Sequence, residues 1–105
     1  MNRITPENQA RLLDALAHPN RIRILEKVRD GYNCSCEIAP KLGLEQSNLS
    51  RHIKVLVESG ILVPHRSGVR INYHVANDKI WDLLELSAKI ADPDSHQPDK
   101  FSAVE

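Results

Sequence analysis

The chain has 105 residues, 41% of them apolar, and a formal net charge of zero, which suits one domain with a modest core. With one Trp, one Phe and two Tyr, that core must be built from Leu, Ile and Val. No apolar run approaches the roughly 20 residues of a membrane-spanning helix, and the opening "MNRITPENQARLL" lacks the apolar stretch of a signal peptide. A cytoplasmic protein with no membrane partner is expected, in a compartment that keeps thiols reduced.

Thr5-Pro6-Glu7 reads as a helix N-cap, a first-turn proline and a first-turn acid, and Leu12, Leu13, Leu16 and Ala17 supply an apolar stripe over 6–17. Pro19 opens a second helix carrying Ile22, Leu25 and Val28, ended by Gly31. Ser35 is placed to cap a short third helix, 36–42, which contains Pro40 and closes at Gly43. A fourth helix spans 46–59, with Leu49, Ile53, Leu56 and Val57 on one side. The period then changes: "ILVPHR" and "RINYHV", separated by "SGV", read as a hairpin with Pro64 on an edge strand. Asn77 or Asp78 caps a fifth helix, 78–91, whose apolar residues cover two sides. The remainder, 92–105, is polar and proline-containing and reads as a mobile tail, leaving residues 1–91 as the domain. The fold class is therefore mainly α with a small β-hairpin, in the order ααα–α–ββ–α of a winged helix-turn-helix.

Zero net charge conceals an uneven distribution. Residues 41–75 carry Lys41, Arg51, Lys54, Arg66 and Arg70 against only Glu45 and Glu58, whereas residues 76–105 are acidic. A basic middle of this kind suits a polyanion. With Leu49 and Ile53 turned inward, the 100° helical step sets Ser47, Arg51 and Lys54 on the opposite side, flanked by Asn48 and Ser50. Short polar groups and cations at this spacing suit a major groove; the bland alternative is a solvated helix face. Gln46 is open between an adenine edge and a bond at the helix start, and His52 between a phosphate contact and packing. Arg66 and Arg70 flank the hairpin tip and could reach the DNA backbone or minor groove, or could serve as solubilising charge on an edge strand.

Cys34 and Cys36 are the only cysteines. In mid-helix this spacing would point them 200° apart, but with Cys34 outside the helix and Cys36 in its first turn both sulfurs can face one point. A helix start favours thiolate, and thiolates select soft ions. A disulfide between residues two apart would close a strained small ring, so the spacing disfavours one. Redox enzymes normally place two residues between their cysteines, and no base or nucleophile cluster accompanies this pair, so an enzyme is not expected. Two small buried apolar residues remain the bland alternative.

Three stretches, "ALAHPNRIRIL" (15–25), "CSCEIAPKLGLEQSNLSRHIKVLVESGIL" (34–62) and "RSGVRINYHV" (66–75), together resemble the ArsR–SmtB family of metal-responsive repressors. The resemblance covers about residues 10–91. It implies a homodimer that binds operator DNA, an inverted repeat, when metal-free and lets go when an inducer binds. Gln46, Ser47, Asn48, Ser50, Arg51, His52, Lys54, Arg66 and Arg70 would form the DNA surface. Helices 1 and 5 would pair across the two-fold axis through Leu12, Leu16, Trp81, Leu84, Ala88 and Ala91.

For the inducer, the resemblance assigns Cys34 and Cys36. The family's arsenic-responsive members carry a third cysteine where this chain has Ala39. Residues 1–33 hold no cysteine for a four-thiolate cadmium or lead site, and the last helix lacks the histidines of the zinc-type site. Asp92, Asp94 and His96 read as tail rather than ligands. No obligatory cofactor is expected; two thiolates suit As(III) or Sb(III) with an exogenous third ligand, and Hg(II) second. The competing readings are a winged-helix regulator that senses thiol redox state or has inert cysteines, and, from another class, a protein–protein interaction module.

Overall fold

The computed structural model describes residues 4–95. Its elements are α1 (Pro6–Leu16), α2 (Pro19–Arg29), α3 (Ser35–Leu42), α4 (Gln46–Glu58), the antiparallel strands β1 (Leu62–Ser67) and β2 (Arg70–Val75), α5 (Lys79–Ala91) and a single 3₁₀ turn, Pro93–Ser95. The order is the one read from the sequence, with helix ends shifted by a residue at most. Residues 96–105, most of the segment read as a tail, lie outside the described residues, as does His96.

Local chemistry accounts for the starts and stops. Thr5 Oγ1 accepts the Asn8 N–H at 3.1 Å, and Pro6 takes the first position of α1. The cap of α2 is His18, whose Nδ1 accepts the Asn20 N–H at 3.0 Å. At the far end of α3, Gly43 adopts a φ of 66°, and the amides of Gly43 and Leu44 return to the carbonyls of Pro40 and Ala39. Asp78 holds the cap position of α5 with no side-chain cap bond, and the preceding Asn77 supplies one instead, its Oδ1 accepting the Lys79 N–H at 2.9 Å.

The start of α3 departs from expectation. Its cap is Cys34, not Ser35: Cys34 is extended (φ −103°, ψ 137°) and its Sγ accepts the Cys36 N–H at 3.3 Å. The physical reason lies in the sheet. Cys34 forms an antiparallel bridge with Asn72 of β2, and the Tyr73 N–H donates to the Asn33 carbonyl at 2.8 Å. Asn33–Cys34 is thus tied to the outer side of the two-stranded hairpin by an isolated bridge. That pairing holds residue 34 extended and moves the helix start to residue 35.

Among the described residues the largest fully buried side chains are Ile24, Leu25, Ile38, Leu49, Leu56 and Leu62, drawn from α2, α3, α4 and β1. They form the centre of one apolar cluster that also takes in Ala15 and Leu16 of α1, Ala39 of α3, Ile53 of α4, and Ile80 and Leu84 of α5. The side of α4 that carries Leu49, Ile53 and Leu56 is therefore fixed, and with it the direction of the opposite side. Truncating Leu49 or Leu56 to Ala would cost about 2–5 kcal/mol.

Candidate nucleic-acid interface and cysteine site

Because α4 is anchored by Leu49, Ile53 and Leu56, the positions Ser47, Ser50, Arg51 and Lys54 fall on its outer side, and all four are exposed. Their spacing (i, i+3, i+4, i+7) makes one continuous stripe. Asn48 is half-buried at its edge. Gln46 is exposed at the start of α4, and its Nε2 donates to Ser35 Oγ at 3.4 Å, which links α4's first turn to α3.

His52 does not join this stripe. It is 9% exposed and turned into the protein, its ring centroid 4.4 Å from that of His18. Arg21 Nη1 donates to His52 Nδ1 at 3.3 Å, and Arg21 Nε donates to the Ala15 carbonyl at 2.6 Å. Since arginine only donates, Nδ1 of His52 must be an unprotonated acceptor. Burial, then the nearby charges of His18, Arg21 and Arg51, hold His52 below its ordinary pKa. Of the two roles open to it in the sequence, packing is the one observed. His52 fastens the recognition-type helix to the start of α2 and the end of α1.

The hairpin stands beside α4. A groove of about 430 Å³ lies between them, lined by Ser50 and Lys54 from the helix, Arg66 from β1, and Ile71 and Tyr73 from β2. The turn is Gly68-Val69, with positive φ at the glycine and a fully exposed valine at the tip. Arg66 is exposed toward the groove. Arg70, at the other side of the tip, forms an ion pair with Glu37 of α3, Nη2 to Oε1 at 2.8 Å.

Cys34 and Cys36 meet as expected, but more closely. The two sulfurs are bonded to each other, over a Cα–Cα distance of 5.2 Å, so the expectation that this spacing disfavours a disulfide is corrected. The reason is the chain direction. An extended residue 34 leading straight into the first turn of a helix brings both Cβ atoms to the same side, which two helical positions at i and i+2 could not do. Cys34 is 4% exposed while Cys36 is exposed, so the pair is reached from one side. Pro40 has no N–H to offer the Cys36 carbonyl four residues earlier, which loosens the turn holding Cys36. Opposite Cys34, Asn72 presents a buried Oδ1 with no hydrogen-bond partner. Ala39 is 4% exposed in the core, and among the described residues no three His, Cys, Asp or Glu side chains are grouped to hold a metal ion.

The surface assigned to dimerisation divides. Leu16 and Leu84 are 6% and 8% exposed and belong to the chain's own core, so they are not available to a partner. Leu84 follows Ile80 by four residues and shares its inward side. Leu12 and Trp81 are half-buried, Trp81 with the Arg29 guanidinium 5.8 Å from its ring, while Ala88 and Ala91 are exposed. On α1 and α5 the large apolar groups left open are Leu13 (44%), Leu86 (57%) and Ile90 (67%). Leu86 was missed in the sequence, although its spacing of four from Ile90 marks it as part of the same stripe.

These features define a winged helix-turn-helix: a short helix, a glycine turn, an anchored helix with a polar and basic outer stripe, and a hairpin beside it. Residues 18–62 match the model of the bacterial regulatory protein arsR family. The chain is 31% identical over 86 residues to a probable mercury resistance operon repressor of Streptomyces lividans, covering 82% of this chain and 69% of that one. It is 37% identical over 90 residues to the transcriptional regulator CmtR of Mycobacterium tuberculosis, covering 85% and 76%. A solution structure of the homodimeric winged helix-turn-helix DNA-binding domain of a possible ArsR-family regulator from Mycobacterium bovis superposes with a TM-score of 0.73 at 25% identity, over 87% of this chain and 90% of that one. The chain belongs to the ArsR family, and it is a DNA-binding transcriptional regulator, not an enzyme. Among the described residues no helix is long and apolar enough to cross a membrane.

Proposed function

We propose that the protein is a homodimeric repressor that holds operator DNA through the outer stripe of α4 and the hairpin, and releases it when a thiophilic ion binds Cys34 and Cys36. Ser47, Asn48, Ser50 and Arg51 would meet base edges in the major groove, with Lys54, Arg66 and Arg70 on phosphates. The apolar residues Leu13, Leu86 and Ile90, with Ala88 and Ala91, would pair the subunits, and the two-fold axis would present two α4 helices to an inverted repeat. The homodimeric Mycobacterium bovis domain supports that assembly. Sedimentation of a Leu86→Glu, Ile90→Glu variant as a monomer is the expected result.

The observation that carries the inducer reading is the position of the cysteines. They sit at the start of α3, next to the helix that bears the DNA stripe, and the same segment is bridged to β2 at Asn72. A ligand that moves residues 34–36 therefore acts on both DNA-facing elements at once. Ion binding requires the dithiol: two equivalents of a cellular monothiol reduce the Cys34–Cys36 bond and leave as one disulfide. The two thiols then displace two hydroxyls of arsenous acid as two waters, and the remaining hydroxyl stays as the third ligand. Trivalent arsenic or antimony is the first choice, since two protein donors leave one position for solvent, and Hg(II), satisfied by two thiolates, is the second. The mercury resistance repressor among the relatives supports the thiophilic class.

A DNA-binding titration of the reduced protein, with and without arsenite, tests this. The expected result is a loss of operator affinity of about 5- to 150-fold, the size of typical allosteric coupling. Unchanged affinity with both arsenite and Hg(II) overturns the reading. A second reading, thiol redox sensing, is favoured by the bond between the two sulfurs. It predicts that oxidised protein alone lets go of DNA, and that re-reduction restores binding with no ion present.

A further inference from the structure

Arg70 lies on the wing, where a DNA phosphate would meet it, yet its guanidinium is occupied by a carboxylate of another element. Glu37 Oε1 is 2.8 Å from Arg70 Nη2, with both side chains about half exposed. Glu37 is the residue after Cys36 and stands in the first turn of α3, the turn loosened by Pro40. From these placements we propose that Glu37 is a gating residue. Its carboxylate competes with DNA phosphate for Arg70, and because it is carried by the cysteine turn, the state of the cysteines sets how much of Arg70 the DNA can have. The closed cysteine pair and the Glu37–Arg70 pair occur together in this structure, and in the proposed gate the latched wing is the arrangement with less of Arg70 left for DNA. The gate rests on the inducer reading given above for its trigger, but its chemistry at the wing stands by itself.

The competition is electrostatic and local. A half-exposed ion pair is weak in solvent, so it can be exchanged for a phosphate contact without a large barrier. A buried, saturated pair could not be exchanged in this way. Removing the Glu37 charge should therefore liberate Arg70 without unfolding anything, because neither side chain belongs to the core.

The test is a double-mutant cycle on operator DNA. Glu37→Gln should tighten binding about 2- to 5-fold in the parent, have no effect in an Arg70→Ala background, and reduce the ratio of affinities measured without and with arsenite. Glu45→Gln, which removes an exposed acid at the start of α4, controls for the change in net charge and should give the same increment in both backgrounds. Glu37→Asp keeps the charge and should restore most of the parent behaviour. If Glu37→Gln has no effect, or its effect persists without Arg70, the gate is overturned. If the cycle behaves as expected but arsenite never weakens DNA binding in the parent, the inducer reading fails while the Glu37–Arg70 competition stands. A thiolate-to-metal absorption titration of Glu37→Gln should match the parent, since the variant retains both sulfurs.

Discussion

The outer side of α4 and the first turn of α3 are neighbours in the fold and opposites in construction. On α4 the four outer residues Ser47, Ser50, Arg51 and Lys54 are exposed, and the core underneath carries the structural load through Leu49, Ile53 and Leu56. At the start of α3 almost every group has two tasks. Cys34 is at once helix cap, bridge partner of Asn72 and half of a sulfur pair, and Glu37 is both a first-turn acid and the partner of Arg70. The first surface is built to be read by a ligand and to change little. The second is built so that a small change is felt elsewhere. Under the proposed function a regulator needs both, and keeping them on separate helices would let sensing be altered while the α4 contact to DNA is kept.

The largest expected effect separates the two surfaces outright. Replacing both Cys34 and Cys36 with Ser keeps a cap at residue 34 and removes the soft donors. The variant should bind operator within about twofold of the reduced parent, while the release by arsenite, about 5- to 150-fold in the reduced parent, falls to none. Gel-shift titrations with and without arsenite measure both numbers; a variant that still lets go at the parent's arsenite concentration places the sensor elsewhere. On the other surface, Arg51→Ala should weaken operator binding by about 1–3 kcal/mol and relax base preference, with the arsenite ratio unchanged. A smaller effect is expected at Arg66, which lines the groove between α4 and the hairpin. Arg66→Ala should weaken all sequences alike and flatten the salt dependence of binding by about one unit in the log–log slope. An unaltered slope removes Arg66 from the phosphate contacts.

The two surfaces were also unequally legible in the sequence. The stripe on α4 follows from one helix and its period: once Leu49 and Ile53 point inward, the outer residues are fixed by geometry. The element order and the hairpin were legible for the same reason, since each rests on local spacing and turn residues. What escaped is non-local. Cys34 displaced Ser35 as the cap because a strand 38 residues later holds it extended, and nothing within residues 33–37 announces Asn72. The Glu37–Arg70 pair joins positions 33 apart. His18 as a cap, and the tilted contact of its ring with His52, depend on where α2 crosses α4. Leu16 and Leu84 were assigned to the dimer because two-sided apolar helices look alike whether the second side meets another element of the same chain or a second subunit.

The smallest expected effect concerns the join between α4 and the body of the protein. His52 is the buried polar residue of the described core, and its Nδ1 accepts from Arg21. A proton on Nδ1 would both remove that acceptor and set a cation beside the Arg21 guanidinium, with His18 and Arg51 adding to the unfavourable field. Burial first, and these charges after it, lower its pKa in the folded chain from an ordinary value of 6.5. Above that ordinary value His52 is neutral in both folded and unfolded chains, and its contribution to stability is complete. As the pH falls below 6.5 the unfolded chain takes up the proton first, so stability declines, and it levels off only below the lowered folded value. Thermal unfolding followed from pH 8 to pH 5 should therefore show a steeper fall in Tm for the parent than for His52→Gln, which keeps an acceptor but cannot titrate. The Gln variant should start with a Tm a few degrees lower, reflecting imperfect replacement of one hydrogen bond worth about 1 kcal/mol. Parallel curves for the two proteins would mean that His52 does not carry this pH dependence.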